Sequence, residues 1–424
     1  MKYFLMLVLV TSALSQAVGQ EDSVIVPESE TLDLQFLVSE ALMNNPEIQA
    51  AQYQMDVMDA KASQAGTLDD PELQFMREDM PGFRYNEAMY SRIELMQMFR
   101  FPTKLSTESE LGRIRAEHAH HDHLEKINKI VATLKSAYYE LWLVQQNTVL
   151  DNENLRLMKQ FSQIAGTKYA TGQVPQQDVL KAQVETAMIN NELLALHQQE
   201  ISTKAMLMAI LNREQKDTLG FAVIPEEVIF TPSLDSLEHL AFSTRPMLIH
   251  DSLSVQESKT MLSLAKQEYL PDFKLGIERV TSPVDGFNGW SLRAGITLPF
   301  APWTLGKANA RVEEANAEIN RATAVYNGSR NMIRSNIRDK YYKAVAAKQQ
   351  LDSFRLLIVP QARQSLNASL TAYQTGTTNF LMLIDAYRTL VNMTKEYFMT
   401  RMQFEQTVAE LEHEVGYQNV ATLQ

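Results

Sequence analysis

The chain has 424 residues, a hydrophobic content of 45% and a net charge of −12. This length can supply a large core, and the acidic balance, without any basic block, argues against nucleic acid or an anionic membrane surface as the partner. There is no cysteine, which excludes disulfides and an N-terminal lipid carried by cysteine.

Residues 1–19 predict a secretory signal peptide. One lysine precedes an apolar run of about ten residues, and small residues follow, with Ala17-Val18-Gly19 as the expected cleavage site. No later run reaches the roughly 18 apolar residues that a membrane-spanning helix needs. We therefore expect an exported chain without a helical anchor, and the lack of disulfides fits a bacterial envelope.

The rest of the chain consists of two related halves. YATGQVPQQDVLKAQ, from Tyr169, matches YQTGTTNFLMLIDAYRTL, from Tyr373, and NNPEIQAAQ, from Asn44, matches TRPMLIHDS, from Thr244. Such self-similarity indicates a duplicated unit. We predict the following division: a first repeat over 20–215, an inter-repeat linker over 216–236, a second repeat over 237–416 and a tail over 417–424.

Each half predicts a helix, two strands, a very long helix, a glycine hinge and a last helix. In the first half these elements lie near 34–66, 71–79, 88–100, 103–165 and 176–212, and in the second near 237–268, 272–281, 290–300, 305–372 and 379–415. A helix of about 63 residues is about 95 Å long. The two shorter helices of a half span nearly the same length when stacked end to end, so we expect the hinge glycines, Gly172 and Gly376, midway between two helix layers.

The long helices carry coiled-coil spacing. One seam in the first long helix steps alternately by three and four residues, through Leu124, Ile127, Val131, Leu134, Tyr138 and Leu141. A second seam follows Ile130, Ala137 and Val144, and the last helix repeats every seven residues at Leu390, Tyr397, Phe404 and Leu411. Two seams favour a wall of helices with neighbours on both sides, whereas an ordinary two-stranded coiled coil would use one.

The predicted strands alternate as transmembrane β-strands do. Phe273, Leu275 and Ile277 alternate with polar residues or glycine, as do Leu292 and Ile296 in the next strand. A half-buried soluble strand also alternates. Because four strands cannot close a barrel and lipid does not tolerate open edges, several chains must share one barrel. Three copies would supply twelve strands.

These residues resemble the TolC-type outer membrane efflux protein family from about Leu34 to Gly416. The resemblance is carried by ALMNNPEI, YATGQVPQQDVLKAQ, RPMLI, YLPDFKLG, LPFAPWTLGKANARVEEANAEI and YQTGTTNFLMLIDAYRTL. It implies a mainly α fold with a small β part, in which a homotrimer forms an α-helical barrel below a shared 12-stranded transmembrane β-barrel. It also implies the outer membrane of a Gram-negative bacterium, a large periplasmic part, and an exit duct for a tripartite efflux pump or type I secretion system. The implied partners are a periplasmic adaptor and an inner-membrane pump of the RND or ABC type.

The resemblance also places a periplasmic gate. An Asp–Tyr link that closes the inner mouth falls on Asp178 and Tyr373. The family's nearby arginine falls on Thr378, and of two pore aspartates one falls on Met382 and one is kept as Asp385. The closed mouth is therefore expected to be held more weakly, or differently. The alternative interpretation of the two aspartates is solvated helix charge.

Two compositional features raise the question of a metal site. His118 and His121, and His120 and His123, are three residues apart and so share helix faces, as zinc or copper ligands can. The alternative is a polar helix face, and we predict no resident metal or other cofactor. Methionines cluster in the first hairpin at Met76, Met80, Met89, Met96 and Met98, where packing is favoured over soft-metal binding.

No catalytic constellation is visible, so we predict that the chain is not an enzyme: it has no cysteine nucleophile, GxSxG, phosphate loop or HExxH. A periplasmic coiled-coil adaptor that bridges membranes is the main alternative to a channel, but adaptors lack alternating strands with an aromatic rim. The histidine and methionine content favours the heavy-metal branch of the family, with drug efflux as the other option.

Overall fold

The structure is a computed structural model that describes residues 31–416, except 81, 83, 85–87, 216, 217, 226, 227, 229, 283–285 and 300. The predicted signal peptide, the tail over 417–424 and parts of the strand-connecting loops and of the linker lie outside the described residues.

The described elements repeat one order. The first half contains β1 (Thr31–Leu32), α1 (Leu34–Asn44), α2 (Pro46–Gln64), β2 (Glu72–Glu78), β3 (Tyr90–Phe99), α3 (Pro102–Ala170) and α4 (Gln176–Leu211). After β4 (Phe221–Ala222), the second half contains α5 (Leu234–Thr244), α6 (Pro246–Gln267), β5 (Phe273–Thr281), β6 (Asn288–Ile296), α7 (Pro302–Ser353), a π-helical turn (Phe354–Ile358), α8 (Val359–Thr375) and α9 (Phe380–Val415). Helix, strand pair, long helix and closing helix therefore occur twice.

The first helix of each half is divided in two, where the sequence predicts one. Asn45 and Arg245 have extended backbones, and a proline follows each. The residue before a proline is pushed out of the helical region, while the proline itself suits the first helical position. Asn45 also caps α2, because its side chain accepts hydrogen bonds from the Glu47 and Ile48 amides at 2.9 and 3.2 Å.

Helix α3 is continuous over 69 residues, about 104 Å. It packs along α2, α4, α6 and α9, as two seams require. The members of both predicted seams that are buried are Val131, Leu134, Tyr138, Leu141, Ile130, Ala137 and Val144. The long helix of the second half is interrupted by the π turn just before Pro360, whose ring cannot fit the regular helical hydrogen-bond pattern.

The four long strands form one antiparallel sheet in the order β2-β3-β5-β6. Register places Phe273 beside Ile296 and Ile277 beside Leu292, so the predicted apolar set lies on one face, and all of its members are exposed. The opposite face carries Lys274 and Arg293 and, of the clustered methionines, Met76, Met96 and Met98.

The two hinge glycines are not midway between helix layers. Gly172 lies two residues after the end of α3, and Gly376 directly follows α8, so both lie at the helical tip, the end of the helices farthest from the sheet. The short helices meet elsewhere: the Asn45 side chain donates to the Ile210 carbonyl at 2.7 Å, where α1 and α2 reach the end of α4. The prediction was wrong because a glycine after a helix ends it and reverses the chain.

A small belt crosses the middle of α3. β1 and β4 pair in parallel, and the Tyr138 hydroxyl donates to the carbonyls of Leu32 or Val223 and accepts from the Val223 amide, each at 2.8 Å. Gln145 binds the next stretch, accepting from the Ala222 amide at 2.8 Å. Strands of two residues carry no periodic signal, so the sequence did not predict them. Within the described part of the chain, no helix has the length and apolar character needed to cross a membrane.

Candidate functional site

The helical tip is built from two turns of the same kind. Gly172 has φ +70° and Gly376 has φ +78°, and a β-carbon at either would meet nothing within 4 Å. Glycine is therefore required by the left-handed backbone rather than by lack of space. The Gln173 amide donates to the Lys168 carbonyl, and the Thr377 amide to the Ala372 carbonyl, both at 2.9 Å, which closes the ends of α3 and α8.

Tyr373 lies at the end of α8, beneath the second turn. It is buried against Phe380, with ring centroids 5.4 Å apart, and belongs to a cluster with Phe161 and Leu383. Its buried hydroxyl has no hydrogen-bond partner among the described residues. Burial, and secondly the charge of Asp178, raises the pKa of Tyr373 to about 12, so the hydroxyl keeps its proton at neutral pH and can donate a hydrogen bond.

Asp178 lies in the first turn of α4 and is half-buried. Its amide donates to the Pro175 carbonyl at 3.1 Å. Burial raises the pKa of its carboxyl, and the charge of Lys181 offsets part of this rise. The structure therefore brings Asp178 and Tyr373 near enough to interact electrostatically within one chain, but forms no hydrogen bond between them there.

Asp385 is exposed on α9, two turns beyond the tip. Met382, where the resemblance places another acid, is also exposed. Thr378, at the position of the family's arginine, contributes its amide to the Ala372 carbonyl at 3.3 Å. The three gate residues thus lie at one end of the molecule, but no direct contact joins Asp385 to the other two among the described hydrogen bonds and ion pairs.

Sequence reasoning missed the cations that hold the tip. Lys168 donates to the Tyr373 carbonyl at 2.7 Å and to the Gln374 carbonyl at 3.2 Å. Farther from the tip, Arg388 on α9 pairs with Glu185 on α4. Lys395 contacts Asp151 at 2.9 Å and Glu192 at 2.6 Å. A lone lysine near a helix end is so common that nothing in the sequence distinguishes Lys168.

At the opposite end, the charged side chains on the inner face of the sheet form one network. Arg92 lies 3.0 Å from both Glu78 and Glu278, and Arg293 lies 2.8 Å from Glu94 and 2.9 Å from Glu278. The network joins all four strands, and Glu94 and Glu278 are buried in it. The acids at the centre of this face are thus buried and paired, whereas the other face is apolar and exposed.

The histidines pair differently from the prediction. His118 packs edge-on against His250 of α6, with centroids 4.4 Å apart, and His120 packs against His121 at 5.5 Å. Burial, and secondly the neighbouring His120, lowers the pKa of both His121 and His123. Over the residues that the structure describes, no group of three histidine or acidic side chains is placed to hold a metal ion.

Comparison with known proteins identifies the relatives of this fold. Residues 238–416 match the family described as outer membrane efflux protein. The chain is 21% identical over 392 residues to the cobalt-zinc-cadmium resistance protein CzcC of Cupriavidus metallidurans, covering 91% of this chain and 90% of that protein.

Two solved structures share the architecture. One is CusC, with a TM-score of 0.79, 15% identity and coverage of 90% of this chain and 92% of that one. Another is the outer membrane protein VceC of Vibrio cholerae, with a TM-score of 0.77, 18% identity and coverage of 90% and 96%. The predicted fold class is confirmed: long helices stack beside a small sheet as in these outer membrane channels.

Proposed function

We propose that this chain, a member of the outer membrane efflux protein family, is one third of a trimeric exit duct in the outer membrane. The observation that carries the proposal is the sheet. Its apolar face is exposed, its opposite face carries a network of arginines and buried acids, and its outermost strands, β2 and β6, each pair on one side only within the described chain. Open edges are not tolerated in lipid, so β2 of one copy must pair with β6 of the next.

The duct continues below the sheet. Helices α3 and α7–α8 are long enough to form a tunnel of about 100 Å, with the helical tip in the periplasm. A periplasmic adaptor and an inner-membrane pump of the RND or ABC type supply the substrate and the energy, so the duct itself performs no chemical step. A non-channel adaptor would have no use for a sheet with an exposed apolar face.

Strand pairing between copies gives the deciding experiment. The chain has no native cysteine, so Gln74→Cys on β2 and Ser291→Cys on β6 can be introduced as its only thiols. Within one chain these positions are three strand spacings apart, roughly 14 Å. A shorter thiol reagent should therefore link the double variant into covalent dimers and trimers in outer membranes. Each single variant is the control, and a double variant that stays monomeric would refute the shared barrel.

The proposed periplasmic gate uses Asp178, Tyr373 and Asp385. The buried Tyr373 hydroxyl has no hydrogen-bond partner among the described residues, and Asp178 has a half-buried carboxylate. In the closed mouth, a bond from the Tyr373 hydroxyl to Asp178 on the neighbouring helix would satisfy both groups, and threefold symmetry makes three such bonds. Asp385, which is exposed, adds a ring of negative charge to the same mouth.

For cargo, we propose divalent heavy-metal cations. The support is the likeness over nine-tenths of the chain to a protein named for cobalt, zinc and cadmium resistance. Deletion of the gene should lower tolerance to these cations, and the wild-type gene should restore it. Unchanged metal tolerance with new sensitivity to drugs or detergents would contradict this cargo and leave the exit duct in place.

A further inference from the structure

Lys168 of the first tip turn is attached to the second one. Its ammonium group donates to the carbonyls of Tyr373 and Gln374, and it lies 4.9 Å from the centroid of the Tyr373 ring. These contacts join residues more than 200 positions apart, from the first repeat to the second. A lysine near the C-terminal end of a helix can bind the last carbonyls of its own helix, whereas Lys168 binds the last carbonyls of a neighbouring helix.

The carbonyls that Lys168 binds belong to the last turn of α8, where a helix leaves its carbonyls without helical partners. The Tyr373 carbonyl also accepts from the Gly376 amide at 3.2 Å. For the Gln374 carbonyl, Lys168 is the donor that the described residues provide. The negative end of the helix dipole adds to the attraction for the ammonium group.

Other polar attachments at this place are few. Thr378, where the family's arginine is expected, binds only within its own turn through its amide. Among the described residues, the two tip turns also share an apolar cluster that contains Val174, Val179 and Phe380. Apolar contacts allow the two turns to slide past each other. An ammonium group that binds two carbonyls and lies near a ring fixes the position and orientation of the α8–α9 turn relative to the α3–α4 turn.

We propose that Lys168 is a positioning residue of the gate: it locks the α8–α9 turn onto the α3–α4 turn and thereby holds the Tyr373 ring in its closed orientation. This inference rests on the exit duct and deepens the gate proposed for it. Opening then requires Lys168 to leave the two carbonyls, which lie in its own chain.

The test is the conductance of the full-length trimer in planar bilayers. Lys168→Met removes the ammonium group but keeps an apolar stem of similar length, and we expect the fraction of time in the high-conductance state to rise about tenfold, because a charge-assisted bond is lost in each chain. Lys168→Arg, which can still donate to two carbonyls, should remain close to wild type. Lys159→Met is the matched control, since Lys159 is exposed on the same helix.

The outcomes separate the two proposals. If the wild type forms no pore, the exit duct itself is refuted. If Tyr373→Phe with Asp178→Ala opens the pore but Lys168→Met behaves as Lys159→Met, the gate stands and the lock is refuted.

If Lys168→Met does not assemble, amide hydrogen exchange on the solubilised full chain decides. We then expect about tenfold faster exchange at residues 376–378, with the protection of α3 unchanged. Unchanged exchange at 376–378 would overturn the proposal.

Discussion

The two ends of the molecule differ in how their buried polar groups are paired. On the inner face of the sheet, Glu94 and Glu278 are buried but meet arginines of their own chain at 3.0 Å or less. At the helical tip, the Tyr373 hydroxyl is buried without a hydrogen-bond partner in the described part of the chain, and Asp385 is exposed. The buried acids of the sheet therefore have their partners within one chain, whereas a buried donor at the tip has none among the described residues. This difference fits the proposal that the sheet forms a fixed barrel wall and the tip a mouth that opens.

The largest effect is expected on the outer face of the sheet. Leu292 is 81% exposed and pairs with Ile277 in the middle of the apolar rows. If this face meets lipid, Leu292→Arg should cost about 2–4 kcal/mol per chain near the bilayer midplane and largely abolish heat-sensitive trimers on gels.

Ser291→Arg is the matched control for that prediction. Ser291 is the adjacent residue on the same strand, faces inward and pairs with Glu278, so an added arginine there meets an acid. Equal losses of trimer in the two variants would show that the faces are assigned wrongly.

The second effect tests whether the ion pairs on the inner face of the sheet stabilise each chain. Glu278 binds Arg92 and Arg293, so Glu278→Gln leaves two arginines with one acid fewer. We expect a loss of about 1–3 kcal/mol, discounted from the value for fully buried pairs because Arg293 is half exposed. Thermal unfolding of the trimer measures it, with Glu72→Gln on the exposed edge as the control. A melting temperature equal to that of the control would mean that the network adds no stability.

The third effect concerns the tip. Tyr373→Phe removes a hydroxyl that bonds to none of the described residues, so the fold of the single chain should keep its stability. In the trimer, the double variant with Asp178→Ala removes three proposed bonds, each of about 1.5–3 kcal/mol when shielded from water. We therefore expect higher conductance in planar bilayers with the trimer intact. Wild-type conductance in the double variant would mean that another contact closes the mouth.

Sequence predicted the elements that carry long periodic patterns. The seams of α3 and the alternation of β5 and β6 extend over enough residues to state both the type of element and the buried face. Breaks that occupy one residue or one turn, at Asn45, Arg245 and the π turn, were missed because the pattern continues across them. Two-residue strands leave no pattern at all.

The candidate site was less predictable than the fold. Family resemblance placed Asp178, Tyr373 and Asp385, and the structure brings them to the tip, although their role in closing it stays a prediction. Lys168 was missed because its partners are backbone carbonyls, which any residue type supplies. The glycines were predicted to be hinges midway between two helix layers, whereas the structure has them at the helical tip. A chain reversal and an end-to-end junction of two helices both call for a glycine, so the sequence did not separate the two.

The smallest effect, on ion preference, comes from Asp385. Its carboxylate is exposed at the tip, and three copies would form a ring of negative charge. Asp385→Asn should lower the preference for cations roughly twofold, because exposed charges act over only a Debye length of about 8 Å at physiological salt, and it should weaken block by trivalent cations.

Glu396→Gln is the matched control. Glu396 is eleven residues after Asp385 on α9, so it lies on nearly the same helix face but about 16 Å farther from the tip. Reversal potentials under a salt gradient measure the preference for each variant. If Glu396→Gln changes the cation preference more than Asp385→Asn does, the charged ring that controls ion selection lies farther from the tip than Asp385. The buried Tyr373 hydroxyl at the tip would then need an explanation other than a gate.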